Sequence, residues 1–467
     1  MTHYDLAIIG SGSGNTLISP EWDGRRVVLV DGGTFGGTCL NVGCIPTKMY
    51  VYPAELASAP TASSRLGVDL SLDGVRWTDI RDRIFTRIDA ISAGGRAYRA
   101  NELENVTLIE EYVRLTGPTS FVTASGEAVT ADQLVIAAGS RAVLPAVPGI
   151  TSPQVHTSDT IMRIDELPKR LLIIGGGYIA AEFAHVFAAF GTVVTIAVRS
   201  DAMLRHLDET VSAAFTEQAA HQWDLRLRTD VTALTPNADG SITARLDSGA
   251  GPEDLEVDVV LAAVGRVPNT DTLGASEAGL DLHADGRLAV DEYQRVLSGG
   301  EPVAGLWSLG DVSSDYQLKH VANHEAKIVA HNLLHPGDLR ASDHRFVPAA
   351  VFSHPQLASV GMTEDEALAY ADAAGTTIVT AVQHYGSTAY GWAMEDTIGF
   401  AKVIAEQSTG RILGAHVLGH EASMIIQPVI QAMSFGLDAH TMARGQYWIH
   451  PALTEVIENA LLNLKTA

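Results

Sequence analysis

The chain has 467 residues, too many for one ordinary hydrophobic core, so two to four domains are expected. Its 31 basic against 55 acidic residues give a formal net charge of −24, which argues against nucleic acid and anionic membrane surfaces as partners. Hydrophobic residues at 46% and aromatic residues at 6%, with 43 glycines, suit layered α/β architecture, and no apolar run approaches the roughly 20 residues that span a bilayer.

The first apolar run, Asp5 to Ile9, reads as a strand ending in Gly10-Ser11-Gly12-Ser13-Gly14. It passes straight from apolar residues into glycines, unlike a signal peptide, so a cytoplasmic protein is expected. A second run, Val27 to Val30, ends at Asp31. Val135 to Gly139 forms a third, followed by a connector from Leu144 to Gly149 that reads as the first domain boundary. The pattern then restarts 165 residues on: Leu171 to Ile174 leads into Gly175-Gly176-Gly177-Tyr178, an amphipathic helix through Phe190, and a strand from Val193 to Val198. Two copies of strand, glycine turn, helix and strand predict two dinucleotide-binding units. Val259 to Val264 and Gly265 to Asn269 lead back towards the first unit, and Leu306 to Asp311 is expected to open another helix. Past about Phe346 the pattern becomes a separate α+β unit, with strands near Ile378 to Tyr385 and Phe400 to Ile404. Helices are expected there over Ser423 to Phe435 and Ala452 to Leu464.

Each glycine loop has a chemical reading. Gly10 permits a tight turn, Gly12 lets a pyrophosphate approach the backbone, and the following helix is expected to supply N–H groups and partial positive charge. Asp31, at the end of the next strand, suits a ribose hydroxyl. Asn15 stands where a third glycine is usual, with Gly14 just before it. The second loop, Gly175-x-Gly177-x-x-Ala180, has its following strand end in Val198 and Arg199 where an NADH site would want a carboxylate. Arg199 and Arg205 suit the 2′-phosphate of NADPH.

Only two cysteines occur, and both fall in one glycine-rich turn, Gly36 to Lys48. Five residues apart, Cys39 and Cys44 could close a disulfide if the chain bends near Gly43. A thiolate at a helix start or near Lys48 would be reactive at neutral pH.

Taken together, Gly10-Ser11-Gly12, Gly36-Gly37-Thr38-Cys39-Leu40-Asn41-Val42-Gly43-Cys44, Gly177-Tyr178-Ile179-Ala180-Ala181-Glu182, Gly265-Arg266 to Asn269, Gly310-Asp311 and His450-Pro451 to Glu455 resemble the pyridine nucleotide-disulfide oxidoreductases. That family includes glutathione reductase, lipoamide dehydrogenase and mercuric reductase, and the resemblance runs the whole chain. It implies FAD on the first loop, with Gly10, Gly12, Gly14, Asp31, Thr38, Lys48, Gly139 and Asp311 as contacts. It implies the nicotinamide cofactor on the second, with Gly175, Gly177, Tyr178, Glu182, Arg199, Arg205 and Gly265. The implied roles are Cys44 as the flavin-facing thiol, Cys39 as the thiol that attacks substrate, and a Lys48–Glu182 pair beside the flavin. Tyr178 would cover an empty nicotinamide pocket, and His450, oriented by Glu455, would act as acid–base group for the other subunit of a homodimer. No metal site is expected. His320 and His324 are left as structural. The implied division is an FAD unit (1–149), an NADPH unit (150–268), a central unit completing the FAD site (269–343) and an interface unit (344–467).

The tail from Glu458 carries no cysteine, unlike the extra redox pairs of mercuric and large thioredoxin reductases. The runs Gly10 to Asn15, Cys39 to Met49, Ala389 to Asp396 and Tyr447 to Leu453 are similar to the branch of the family that reduces the disulfide of mycothiol, a thiol carried on a hydroxyl-rich pseudo-disaccharide. Glutathione disulfide and lipoamide stay open as alternative substrates. A flavin-bound redox sensor is a further alternative, against which the set Lys48, Glu182, His450 and Glu455 argues.

Overall fold

A computed structural model describes residues 1–466; Ala467, the last residue of the expected interface unit, lies outside them. The first sheet is built on β1 (Thr2–Ile9), buried along most of its length, with β2 (Val27–Val30) parallel on one side and the strand Ala128–Ile136 parallel on the other. α1 (Gly37–Asn41), α2 (Cys44–Ser64) and α3 (Trp77–Asn101) follow β2, and β3 (Val106–Ile109) closes that edge. The strand Glu301–Ser308 returns beside Ala128–Ile136, in register Leu306 to Leu134. Residues from the middle of the expected central unit therefore join the first sheet.

The second sheet is five-stranded and parallel, in the order 224–227, 193–198, 170–174, 259–262, 155–156, with α4 (Tyr178–Ala189) behind it. Val259–Ala262 and Val193–Val198 flank Arg170–Ile174, whose Leu171, Leu172 and Ile173 are fully buried. A third, antiparallel sheet runs 348–351, 356–361, 412–419, 400–406, 378–384. The helix Glu455–Asn463 packs on its last two strands, 400–406 and 378–384. No helix among the described residues is long and apolar enough to cross a membrane.

Four local expectations are corrected. The helix expected after Gly10-x-Gly12 does not form: the chain makes two short 3-10 turns, Gly14–Leu17 and Pro20–Trp22. Twelve residues separate Gly14 from Val27 and they include Pro20 and Gly24, too short and too broken for several helical turns. After Gly310-Asp311 there is again only a short 3-10 turn, and the helix starts at Lys319. The expected helix over Ser423–Phe435 is split into Ala422–Ile425 and Gln427–Ser434, with Pro428 in the first turn of the second piece. The last helix begins at Glu455, after Pro451, and not at Ala452.

One buried charge cluster ties the second unit to the third. Lys402, on the strand Phe400–Glu406, donates to Asp208 Oδ1 at 2.8 Å, to Thr210 Oγ1 at 2.9 Å and to Glu364 Oε2 at 2.6 Å. Lys402 and Asp208 are almost wholly buried, so removing one partner leaves the other charged and unsolvated. Lys402→Met should destabilise the fold by about 3–5 kcal/mol, read as a lowered urea midpoint. An unchanged midpoint would show that the cluster contributes nothing.

Candidate functional site

The cysteines are placed by glycines. Gly37 has φ +72°, and a Cβ there would stand 2.7 Å from the Gly12 Cα. The cysteine turn therefore lies backbone against backbone on the first glycine loop, an approach that two side chains would prevent. A Cβ on Gly43 would meet Thr38 O at 2.9 Å and Cys39 Cα at 3.3 Å, so glycine lets α2 start directly against Cys39. Asn41 Nδ2 holds the turn by donating to Phe35 O at 2.9 Å and Gly37 O at 3.0 Å. Thr38 supplies its carbonyl to Val42 N–H within it.

Cys39 and Cys44 are free thiols in hydrogen-bond contact. Cys44 opens the 21-residue α2, where unpaired backbone N–H groups favour negative charge. The hydrogen bond from Cys39 holds the Cys44 thiol down at about 7 against the opposing effect of burial, with the Lys48 ammonium adding to the lowering. The same hydrogen bond, with burial, pushes the Cys39 thiol up; Lys319 opposes that rise. In the dithiol state the negative charge therefore sits on Cys44, and Cys39 needs a base before it can attack.

Lys48, one turn along α2, donates to Glu182 Oε1 at 2.5 Å, joining α2 to α4. Read alone, Glu182 resembles ordinary helix surface; in the fold it is buried, and the same oxygen accepts the Phe352 N–H at 3.0 Å. The Lys48 ammonium also lies 4.6 Å from the centre of the Phe352 ring. Tyr178, first residue of α4, has its phenol pushed up to about 12 by burial, in the field of Arg266, Asp311, Glu182 and Cys44. The first and second glycine units thus converge on the cysteines.

The two glycine loops share one turn geometry. Gly10 and Gly175 have φ of +112° and +125°, and a Cβ on either would clash with a carbonyl of the neighbouring strand, Ala137 O at 2.2 Å and Ala263 O at 2.3 Å. Gly177 faces open space and Gly12 meets only the Gly37 Cα, at 3.7 Å, which is what a pyrophosphate approaching the backbone requires. Gly14 does the close packing of the third glycine, since a Cβ there would come within 2.8 Å of Ala137 Cβ and 2.9 Å of Ile8 Cγ2. That frees Asn15, whose side-chain and backbone oxygens accept from Arg99 at 2.8 and 3.1 Å.

Asp31 closes the first loop itself, accepting from Ser11 N–H and Gly33 N–H, each at 2.8 Å; a carboxylate with about four acceptor sites keeps capacity for a ribose hydroxyl. Asp311 accepts the Ser140 hydroxyl at 2.6 Å, and Ser140 in turn receives Arg266 Nε at 2.9 Å. Gly139 and Gly265 flank the short ribbon of 140–142 against 266–268, so the two residues expected at separate cofactors lie at one crossing between the units. Arg199 and Arg205 are exposed beyond the second loop and make no ion pair among the described residues. Ser140, Arg266, Phe352 and Lys319 were not singled out in the sequence. Arg266 lies inside the Gly265–Asn269 motif, whereas the Phe352 amide carries no sequence signal.

His450 Nδ1 is 2.7 Å from Glu455 Oε1, and Glu455 Oε2 accepts the Ala452 N–H at 3.2 Å. That pair fixes the ring, which is 70% exposed with Nε2 free of protein partners among the described residues. Among the described residues, no hydrogen bond joins His450 to the cysteines of its own chain. His320 bonds Pro348 O and His324 accepts from Asp343 N–H, both structural contacts. No group of three or more His, Cys, Asp or Glu side chains among the described residues is arranged to hold a metal ion.

Two family models match: Pyridine nucleotide-disulphide oxidoreductase over residues 4–326 and its dimerisation domain over 347–461. Mycothione reductase of Mycobacterium tuberculosis is 50% identical over the full length of both chains. Glutathione reductase of Burkholderia cepacia is 32% identical over 92% of each. Among solved structures, the HOCl-induced flavoprotein disulfide reductase RclA of Escherichia coli superposes with a TM-score of 0.83 at 28% identity, over 99% of each chain.

The depressed Cys44 thiol has a direct readout. In the reduced protein freed of bound cofactor, alkylation of Cys44 should rise with pH through a midpoint near 7, because only the thiolate reacts. Lys48→Met should move that midpoint upward. A midpoint near 9 in the parent protein, the ordinary thiol value, would contradict the site's electrostatics.

Proposed function

We propose, from the premise that this chain belongs to the pyridine nucleotide-disulphide oxidoreductase family, that it is the disulfide reductase acting on mycothiol disulfide, driven by NADPH through FAD and the Cys39–Cys44 pair. The observation that carries the redox reading is the pair itself: two thiols in contact, charge held on Cys44, beside a dinucleotide loop and the Lys48–Glu182 ion pair. The substrate reading rests on the full-length 50% identity to the mycobacterial mycothione reductase.

The residues fit the cofactors. Both glycine loops leave the backbone open to a phosphate. Arg199 and Arg205 stand unpaired at the second, suited to the 2′-phosphate that separates NADPH from NADH. Residues 1–149 and 269–343 would form the FAD unit, 150–268 the NADPH unit and 344–467 the dimer interface. Gly10, Gly12, Gly14, Asp31, Thr38, Lys48, Gly139 and Asp311 would line the first site. Gly175, Gly177, Tyr178, Glu182 and Gly265 would line the second, with Tyr178 closing it when empty. Bound together, the two cofactors would supply two electrons, which with one proton open the Cys39–Cys44 disulfide to the Cys39 thiol and the Cys44 thiolate.

The chain's own residues then run the exchange. His450 of the partner subunit, its ring held by Glu455, takes the Cys39 proton. The Cys39 thiolate attacks one substrate sulfur, a Cys39–substrate disulfide forms, the substrate S–S bond breaks, and the proton on His450 passes to the departing thiolate. The Cys44 thiolate next attacks Cys39 Sγ, re-forming the protein disulfide as the Cys39–substrate bond breaks, and the second substrate thiolate leaves and takes its proton from solvent.

Cys39→Ser should retain bound flavin and lose disulfide-dependent NADPH oxidation, at least a thousandfold by the scale on which a lost nucleophile acts. Parent-like turnover by that variant would remove Cys39 from the reaction.

A further inference from the structure

The two glycine loops differ in where their positive charge comes from. At the second, α4 runs 12 residues from Gly177, so its N-terminus offers unpaired N–H groups and about half a positive charge. At the first, the four-residue turn Gly14–Leu17 offers no such dipole. A dinucleotide pyrophosphate carries the same charge in either place, and this chain is strongly acidic overall.

A lysine side chain reaches the first loop from elsewhere in the chain. Lys319, first residue of the 16-residue helix Lys319–Leu334, places Nζ 2.8 Å from Ser13 Oγ. It makes no ion pair among the described residues, and its helix has no acidic residue in the first turn. The ammonium keeps two donors beyond the one on Ser13. Its positive charge also opposes the upward push on the Cys39 thiol.

We propose that Lys319 is the cationic anchor for the dinucleotide pyrophosphate at the first glycine loop, replacing the helix N-terminus that this loop lacks. The inference rests on the reading of that loop as the FAD site. Lys319 is half-exposed at a helix start, so its replacement removes a charge without opening the core.

The test uses the full-length protein carrying its flavin, with Lys319→Met, Lys319→Gln and Lys319→Arg beside the parent. Released FAD is followed by recovery of its fluorescence on dilution, with ADP, which has the pyrophosphate and no flavin ring, titrated as competitor. The Met and Gln variants should bind FAD roughly 10- to 100-fold more weakly, the size of one charge-assisted hydrogen bond, and ADP binding should weaken in parallel. Lys319→Arg should stay near the parent. Unchanged FAD affinity in both neutral variants would overturn the anchor while leaving the FAD reading of the loop intact. Weakened FAD with unchanged ADP would overturn it too, by moving the lysine's contact to the flavin ring. A parent protein that holds no FAD would overturn both readings.

Discussion

Glu182 is the point at which the architecture is tied together. Its Oε1 accepts the Lys48 ammonium from the cysteine helix and the Phe352 amide from between the first two strands of the third sheet, while its own backbone belongs to α4 behind the second sheet. A carboxylate this deeply buried is stable as a charge only when paired and hydrogen-bonded, so its solvation fixes how the three units meet. Lys48 lies four residues after Cys44 on α2, one helical turn away. The same interaction that joins the units therefore holds a positive charge beside the more acidic thiol.

Around that point the chain solves one problem twice and differently. Both glycine loops use a positive-φ glycine pressed on the carbonyl just past a neighbouring strand, and both leave the next glycine of the motif accessible. Only the second then builds a helix. In the first, Gly14 packs against Ile8 and Ala137, Arg99 satisfies the oxygens of Asn15, and Lys319 comes in over Ser13. The cysteine turn lies directly on this loop, with Gly37 against Gly12.

Much of this was legible in the sequence because it is local. The strands around both loops, α4, the close approach of Cys39 to Cys44 and the His450–Glu455 contact depend on residues near one another in the chain, and each formed. The missing first helix was legible too, in Pro20 and Gly24, but the motif outweighed that local chemistry. Long-range partners were not legible. Nothing in the residues near Phe352 marks its amide as a ligand of Glu182 170 residues away, and Lys319 reads as an ordinary helix-start lysine until Ser13 is placed beside it. Burial has the same character: Glu182 reads as surface until the third unit covers it.

The central proposal is a cysteine pair that would pass electrons from NADPH to one class of small disulfide. Its most direct test is NADPH oxidation by the purified protein, with mycothiol disulfide and glutathione disulfide supplied separately at equal concentration and NADH run in parallel. Oxidation that depends on mycothiol disulfide and prefers NADPH is the predicted result. Equal or faster oxidation with glutathione disulfide, or a preference for NADH, would contradict it.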